Sequence, residues 1–539
     1  MSSTLIFHDQ TLSPGWNKLT LRDSYCECVL FYAGWIKNWQ WGDLAKKLSN
    51  CSKESASSFI GGLKGEFGFF FKSQHLSCVV VDHILSYPIS IAELGRSYIC
   101  YTNDLALAAQ GIVHPSPLAS SVMRLGGYTV GNETLYRNAQ RISAGTCILK
   151  TTGDFSSFKT VNSYPDYVSR KAVTCDDVAE ATFEAFKFSL EENYDRKLAI
   201  PLSAGYDSRI VLSVLKSMGF ENLVSYSYGT KGNFEARIAA KLADAAGVEW
   251  IFVETSSKIM RKFFNTEQFS NFRAATSDGI SGPIYHDLYV TGELLRRRII
   301  DTDTVIINGN SGDFISGGHL PNLLTQTTPG TVSIDAVVNC FINKHFALWE
   351  KSGNFSLDSI LFQQIKEQFL LYCNHGDRDS IAYAWERIEY ENRQQKNVIK
   401  RQKIYDYFGV QWRLPLWTSG YINFWNGVEL QQKRSQLVYK STFIKKDISG
   451  LWKKIPLNQD KYISPPIFRW FIRPVFKFVI GGLLGRKNWH RFEKRFLAYY
   501  IDNSGMQSIY SYFEVVRRPI FRNYISLHVE DYLRWREKN

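Results

Sequence analysis

Residues 198–220, LAIPLSAGYDSRIVLSVLKSMGF, restrict the fold more than any other stretch of this chain. An apolar run ends in a short turn of Ser, Gly and Asp, and an amphipathic helical pattern starts at once. The alternation continues with LVSYSYG, NFEARIAAKLADAAG and EWIFVE, and a further apolar run follows at 304–308. Strands alternating with helices at this spacing predict βαβ units in a parallel sheet. Ligands of such sheets bind beyond the carboxyl ends of the strands, which is where Ser203, Gly205, Asp207 and Ser208 fall.

The texture before residue 160 is different. Short apolar or alternating runs at 28–33, 68–72, 76–81, 97–102 and 146–150, punctuated by glycine, predict a β-rich layer. The pattern loosens over 161–177, and Asp176 and Asp177 mark the start of a helix. The expected fold is therefore α/β plus a β-rich domain, with units at 1–165, 170–450 and 451–539. The last is a mainly helical, basic and aromatic extension.

Composition excludes several classes. With 45% hydrophobic and 21% charged residues among 539, and only 15 prolines, the chain is neither collagen-like nor disordered. Nine cysteines contain no C-x-x-C, so reduced thiols are expected and not a zinc knuckle or disulfide framework. The start lacks a secretory pattern, and no run of 18 or more uncharged apolar residues occurs, so a cytoplasmic location is expected. Of the net charge of +13, a large share lies in residues 466–500, where eight Lys/Arg face one acid, Glu493. A basic aromatic stretch of this kind suits peripheral contact with an anionic membrane face, although one solvated helix face has the same pattern. No nucleic-acid-binding module accompanies the charge.

The 203–208 loop carries the chemistry. Gly205 lets backbone approach an anion, the following helix offers its N–H groups and positive end, and Ser203 and Ser208 add hydroxyls. Asp207 would repel phosphate unless a cation stands between them, which points to Mg2+ shared by carboxylate and phosphates. The lysine of a Walker A loop is absent. A locally capped strand-to-helix turn is the plainer alternative.

The S-x-G-x-D-S loop resembles the pyrophosphate loop of N-type ATP pyrophosphatases, and further segments resemble the asparagine synthetase family. These are the second strand ending in Tyr228 and Gly229 with NFEAR after it, the VIINGNSGDFISGG loop at 305–318, VQWRLPLW at 410–417 and KSTFI at 440–444. The resemblance implies that Ser203, Gly205, Asp207, Ser208, Tyr228, Gly229 and Gly309 bind ATP. It further implies that Asp207 and Asp313 hold Mg2+, and that Lys440 stabilises an acyl-adenylate. Where the family has Asp-Glu, this chain has Asp313-Phe314, and Glu391 on the charged stretch 385–396 is the expected replacement base. Salt bridging to Arg387 at i, i+4 is its plainer role.

Segments 59–82, 101–109 and 126–145 resemble the family's Ntn-type glutaminase domain in outline. The chemical groups do not match. Ser2 follows Met1 where the family has an amino-terminal cysteine, and Ala33 and Trp35 stand at the positions of its oxyanion Asn and glutamine-contacting Glu. The resemblance thus implies an AMP- and pyrophosphate-forming amide synthetase supplied with free ammonia or with ammonia from a separate glutaminase.

The 405–417 and 309–321 sequences look like asparagine-synthetase-related proteins of bacterial surface-polysaccharide (O-antigen) enzymes, which implies a uronic acid sugar as the carboxylate. Trp412, Trp417, Tyr421 and Trp425 would then be candidates for sugar stacking, although aromatic core is the commoner role of such rings. Aspartate amidation, an intramolecular amide former of the β-lactam synthetase or lasso-peptide cyclase type, and a non-catalytic ATP-binding scaffold are the rival readings.

Overall fold

The computed structural model describes residues 4–7, 9–22, 27–151, 154–159, 164–325, 332–350, 355–373, 377–455 and 468–538. Ser2 and part of the expected 161–177 boundary lie outside the described residues.

The amino-terminal part is built from two sheets. Six strands pair antiparallel in the order Asp154–Lys159, Thr146–Thr151, Leu76–Val81, Gly65–Lys72, Glu27–Ile36 and Asn17–Arg22. Four shorter strands, Thr4–Phe7, Ser97–Tyr101, Ser90–Leu94 and Ala139–Arg141, form the second sheet. The period-2 alternation of side chains decides which layer each residue joins. In GEFGFFFK, Phe67, Phe69 and Phe71 pack with the helices Trp41–Ser49 and Lys53–Gly61, while Phe70 faces the second sheet. Ile99 and Tyr101 on that sheet's far side meet Val529 and Tyr532 of the carboxy-terminal helix Tyr524–Lys538. The layers run helix, sheet, sheet, helix.

A five-stranded sheet forms the second part, in the order Glu249–Glu254, Leu223–Gly229, Leu198–Pro201, Val305–Ile307 and Gln411–Arg413, every pair parallel. The strands are the alternating apolar runs of the sequence. The fifth is not among those runs: a three-residue strand from far along the chain closes the sheet edge. Helix Tyr206–Ser217 buries Ile210, Val211, Val214 and Leu215. Helix Phe234–Ala245 starts on Asn233, whose side-chain oxygen accepts from the Ala236 N–H at 2.8 Å. Helix Cys175–Leu190 carries a reciprocal capping box between Thr174 and Asp177.

Buried polar bonds lock the two parts together. The Tyr87 hydroxyl donates to Asp406 at 3.1 Å, the His83 ring meets the Trp417 carbonyl at 2.8 Å, and Arg141 donates to Gln395 at 2.8 Å. The carboxy-terminal helix adds Arg536 to Asp104 at 2.8 Å and Arg273 to Asp531 at 2.8 Å. The extension is therefore folded back onto the body of the protein.

Candidate active site

Strands Leu198–Pro201 and Val305–Ile307 are parallel neighbours, so the loops that leave their carboxyl ends lie side by side. The first brings Asp207 and the second brings Asp313 to the wall of one cavity of about 600 Å3. Ser203, Gly205, Ser208, Tyr228 and Gly309 line the same cavity.

The first loop is held by its own hydroxyls. The Ser203 and Ser208 side chains meet at 3.0 Å, the Ser203 N–H donates to Ser208 Oγ at 3.1 Å, and the Gly205 N–H donates to Ser203 Oγ at 3.2 Å. The second loop approaches so closely that glycine is required: a Cβ on Gly309 would stand 2.9 Å from the Asp207 carbonyl, and one on Gly312 would collide with the Asp207 carboxylate and the Tyr439 hydroxyl. Ser311 in this loop, and Ser435 and Gln436 opposite it, adopt left-handed backbone at φ 69, 49 and 64. Such non-glycine residues persist only where surrounding structure holds them. Gln436 donates to Ser316 at 2.9 Å, and Ser311 donates to Gln394 at 2.8 Å.

Asp207 is the electrostatic centre. Tyr439 donates to one carboxylate oxygen at 2.9 Å and the Asp313 N–H to the other at 3.2 Å. Burial, and next the charge of Asp313, nevertheless push the Asp207 carboxyl up to about 7. Burial pushes Asp313 upward too, but the bond from His319 Nε2 at 3.1 Å and the charge of that ring hold it below the ordinary range. Among the described residues no cluster of three or more His, Cys, Asp or Glu is placed to hold a metal. Two carboxylates whose mutual repulsion raises a pKa fit a hard divalent cation that completes its shell with phosphate oxygens and water.

His319 joins a group that the sequence reading missed. Its Nδ1 meets Glu389 in a short hydrogen bond, and Glu389 also faces His345 at 3.2 Å and Arg393 at 3.6 Å. Burial opposes charge on His319, but Glu389 and Asp313 together raise it to about 9. Burial opposes charge on Glu389 as well, and the two histidines hold it well below the ordinary carboxylate range.

Other expected residues are placed less directly. Glu391 is not among the residues lining the cavity: it accepts from Tyr372 at 2.9 Å and from Arg387 at 2.7 Å, the i, i+4 pair of the plainer reading. Lys440 is not among the residues lining the cavity: its Nζ lies 5.4 Å over the ring of Tyr206, which is, and bonds to the Ser435 carbonyl at 3.0 Å. Gly229, at φ 131, packs against the Asn503 carbonyl. Tyr228 accepts from Arg401 at 2.9 Å, and Arg401 forks onto Asp287 with two bonds of 2.8 Å.

The aromatic run takes the commoner of its two roles. Trp412, Trp417, Tyr421 and Trp425 are all buried in the main core and are not a stacking platform. Phe314 is buried with them, its ring 5.9 Å from that of Trp417 and nearly parallel to it. The carboxy-terminal extension instead supplies Asp502, Ser504 and Tyr524 to the cavity wall. Tyr524 is hydrogen-bonded to His286, whose charged form burial and Arg401 suppress, lowering its pKa to about 3. In the amino-terminal part, the Trp35 indole donates to Glu66 at 3.1 Å and its ring lies 4.6 Å from the Arg413 guanidinium.

No protein-family model and no curated protein matches the chain. Among solved structures it is similar to the allosteric regulatory enzyme of purine biosynthesis, with 13% identity, 44% of this chain and 63% of that chain covered, and a TM-score of 0.21. The glutamine phosphoribosylpyrophosphate amidotransferase from B. subtilis gives 10%, 54% and 64% with a TM-score of 0.20. The NH3-dependent NAD synthetase from Campylobacter jejuni gives 17%, 42% and 96% with a TM-score of 0.22. The chain spans less than two thirds of the first two proteins, and TM-scores this low establish neither a shared fold nor a shared activity.

Proposed function

We propose that this chain is an ATP-dependent, AMP- and pyrophosphate-forming amide synthetase that activates a carboxylate and joins it to externally supplied ammonia. The observation that carries the reading is the meeting of Asp207 and Asp313 over a serine-glycine loop at a helix amino terminus, inside one cavity of nucleotide size. Ser203, Ser208 and the first N–H groups of helix Tyr206–Ser217 would bind the departing pyrophosphate. Asp207 and Asp313 would hold Mg2+, which supplies charge neutralisation on the phosphates. Lys440 would swing toward the cavity to offset charge on the acyl-adenylate.

The substrate carboxylate attacks the α-phosphorus and pyrophosphate leaves; nitrogen then attacks the acyl carbon and AMP leaves. With Phe314 buried, a base for the second step is absent at that position. The negative charge of Glu389 keeps His319 protonated, so the ring acts as a fixed cation that holds Asp313 ionised and is not a free base for that step. Ala33 and Trp35 in place of Asn and Glu support an outside source of ammonia. A uronic acid sugar is the proposed carboxylate, on the loop sequences at 309–321 and 405–417.

Exchange of labelled pyrophosphate into ATP tests the reading, with uronic acids, their nucleotide-sugar forms and aspartate as candidates. Exchange that depends on a uronic acid and disappears in Asp207→Asn is expected. Exchange with aspartate alone would make the enzyme an ammonia-using asparagine synthetase. ATP binding without exchange for any acid would favour a cyclase or a scaffold.

A further inference from the structure

Residues 468–483 are helical, a turn at Gly485 with φ 86 follows, and 486–501 are helical again. The two helices pack as a hairpin through Phe476 on Phe492 at 5.0 Å and Arg473 on Glu493 at 2.8 Å. The side chain of Arg469 lies outside the described residues. A surface helix ordinarily turns its apolar stripe inward. Here Phe471, Val475, Phe478 and Val479, at i, i+4, i+7 and i+8, form the stripe that faces away from the second helix, and Phe471 and Phe478 are 69% and 82% exposed. Eight of the eighteen large apolar side chains exposed among the described residues fall within 470–484.

Charge identifies what covers this face. Leu483 and Leu484 at the hairpin tip, 79% and 64% exposed, are followed at once by exposed Arg486 and Lys487. Lys477, Arg491, Lys494 and Arg495 are exposed as well, and Glu493, the one acid of the hairpin, is taken up by Arg473. Beside the second helix a groove of about 870 Å3 is lined by Arg486, Lys487, Arg491, Lys494 and Arg522 and by one acid, Glu350, which pairs with Arg491 at 2.8 Å. A second copy of the chain would bring the same cations against themselves. No helix among the described residues is long and apolar enough to cross a membrane.

We propose that the 468–501 hairpin docks the protein on the surface of an anionic phospholipid bilayer. The Phe471–Phe478 stripe and the Leu483–Leu484 tip enter the boundary between headgroups and acyl chains, while Lys477, Arg486 and Lys487 meet lipid phosphates. An apolar stripe alone would bind any bilayer weakly; the flanking cations make binding selective for negative charge and sensitive to salt.

The test is co-sedimentation of the full chain with vesicles of phosphatidylcholine alone and of phosphatidylcholine mixed with phosphatidylglycerol. Binding to the mixed vesicles only, weakened by added salt, is expected. The double variant Phe478→Asp, Leu483→Asp should lose it at least about tenfold, and Arg486→Gln with Lys487→Gln about fivefold per charge. Unchanged near-ultraviolet circular dichroism and ATP binding verify that each variant is folded. Equal binding to neutral vesicles, no binding to either, or a dimer in sedimentation equilibrium that Phe478→Asp dissociates would each overturn the proposal.

Discussion

The backbone N–H of Asp313 donates to the Asp207 carboxylate over 3.2 Å, tying together two loops that are 106 residues apart in the chain. The bond fixes both carboxylates relative to the Ser203–Ser208 turn without relieving their repulsion. Burial and the neighbouring charge leave Asp207 titrating at about 7, so a proton competes for the position proposed for Mg2+.

Affinity for Mg2+–ATP is therefore expected to rise as pH is raised between about 6 and 8, because Asp207 must lose its proton to accept the cation. Titration calorimetry at several pH values checks the slope, and Asp207→Asn should remove both slope and binding. Stability of the free protein moves the other way. A raised carboxyl pKa contributes stability that is present below the ordinary value and lost as pH rises through about 7. Asp207→Asn should accordingly raise the Tm at alkaline pH.

Tyr439→Phe removes the donor that favours the ionised form of Asp207. The midpoint of the pH-dependent binding should shift upward, at a stability cost of about 1 kcal/mol. A midpoint that stays in place would show that the hydroxyl does not act on this carboxylate.

The place of Asp207 is legible in the sequence because it is set by its immediate neighbours: a strand end, Gly205 and the start of a helix. Asp313 is legible for the same reason, once its strand is expected beside the first. His319 and Glu389 are not, since they stand 70 residues apart and no local pattern joins them. Glu391, on the same segment, is two residues away, and a helix turns by roughly 200° over two positions. It faces Arg387 and Tyr372 instead. The aromatic run from Trp412 to Trp425 has the look of a binding surface because composition does not distinguish a buried ring from a presented one. Tyr524 reaches the cavity from the last helix, and Asp502 and Ser504 flank Asn503, whose carbonyl accepts from the Thr230 N–H at 2.7 Å, so contacts far apart in sequence place all three.

Introducing the glutamate that the resemblance places next to Asp313 should not increase amide formation. Phe314 is 2% exposed and packs on Trp417 and the ring of His319. Phe314→Glu would bury a carboxylate in an apolar wall, costing on the order of 3 kcal/mol or more. A lowered denaturation midpoint with no gain in amide formation is expected; a gain would mean that this wall opens to the cavity.

Glu389→Gln separates the electrostatic role of the buried cluster from its packing, since the amide keeps the shape and loses the charge. Glu389 is the largest influence raising His319 to about 9, against the effect of burial. Without it the imidazole should titrate at or below its ordinary 6.5, which NMR of the ring protons reads directly. A histidine with a raised pKa contributes stability that is complete below 6.5 and lost as pH rises through about 9. The variant should thus lose on the order of 3 kcal/mol in acidic solution, because each tenfold change in the protonation equilibrium is worth roughly 1.4 kcal/mol. The difference from the wild type should shrink toward and above pH 9. The share of the Glu389 lowering that comes from His319 is the same attraction seen from the other side and is not counted again. Asp313, deprived of a charged partner, should rise toward Asp207, so that pyrophosphate exchange by the variant needs more alkaline solution. Unchanged pH dependence of exchange, with the stability loss intact, would reduce the His319–Glu389 pair to a purely structural contact.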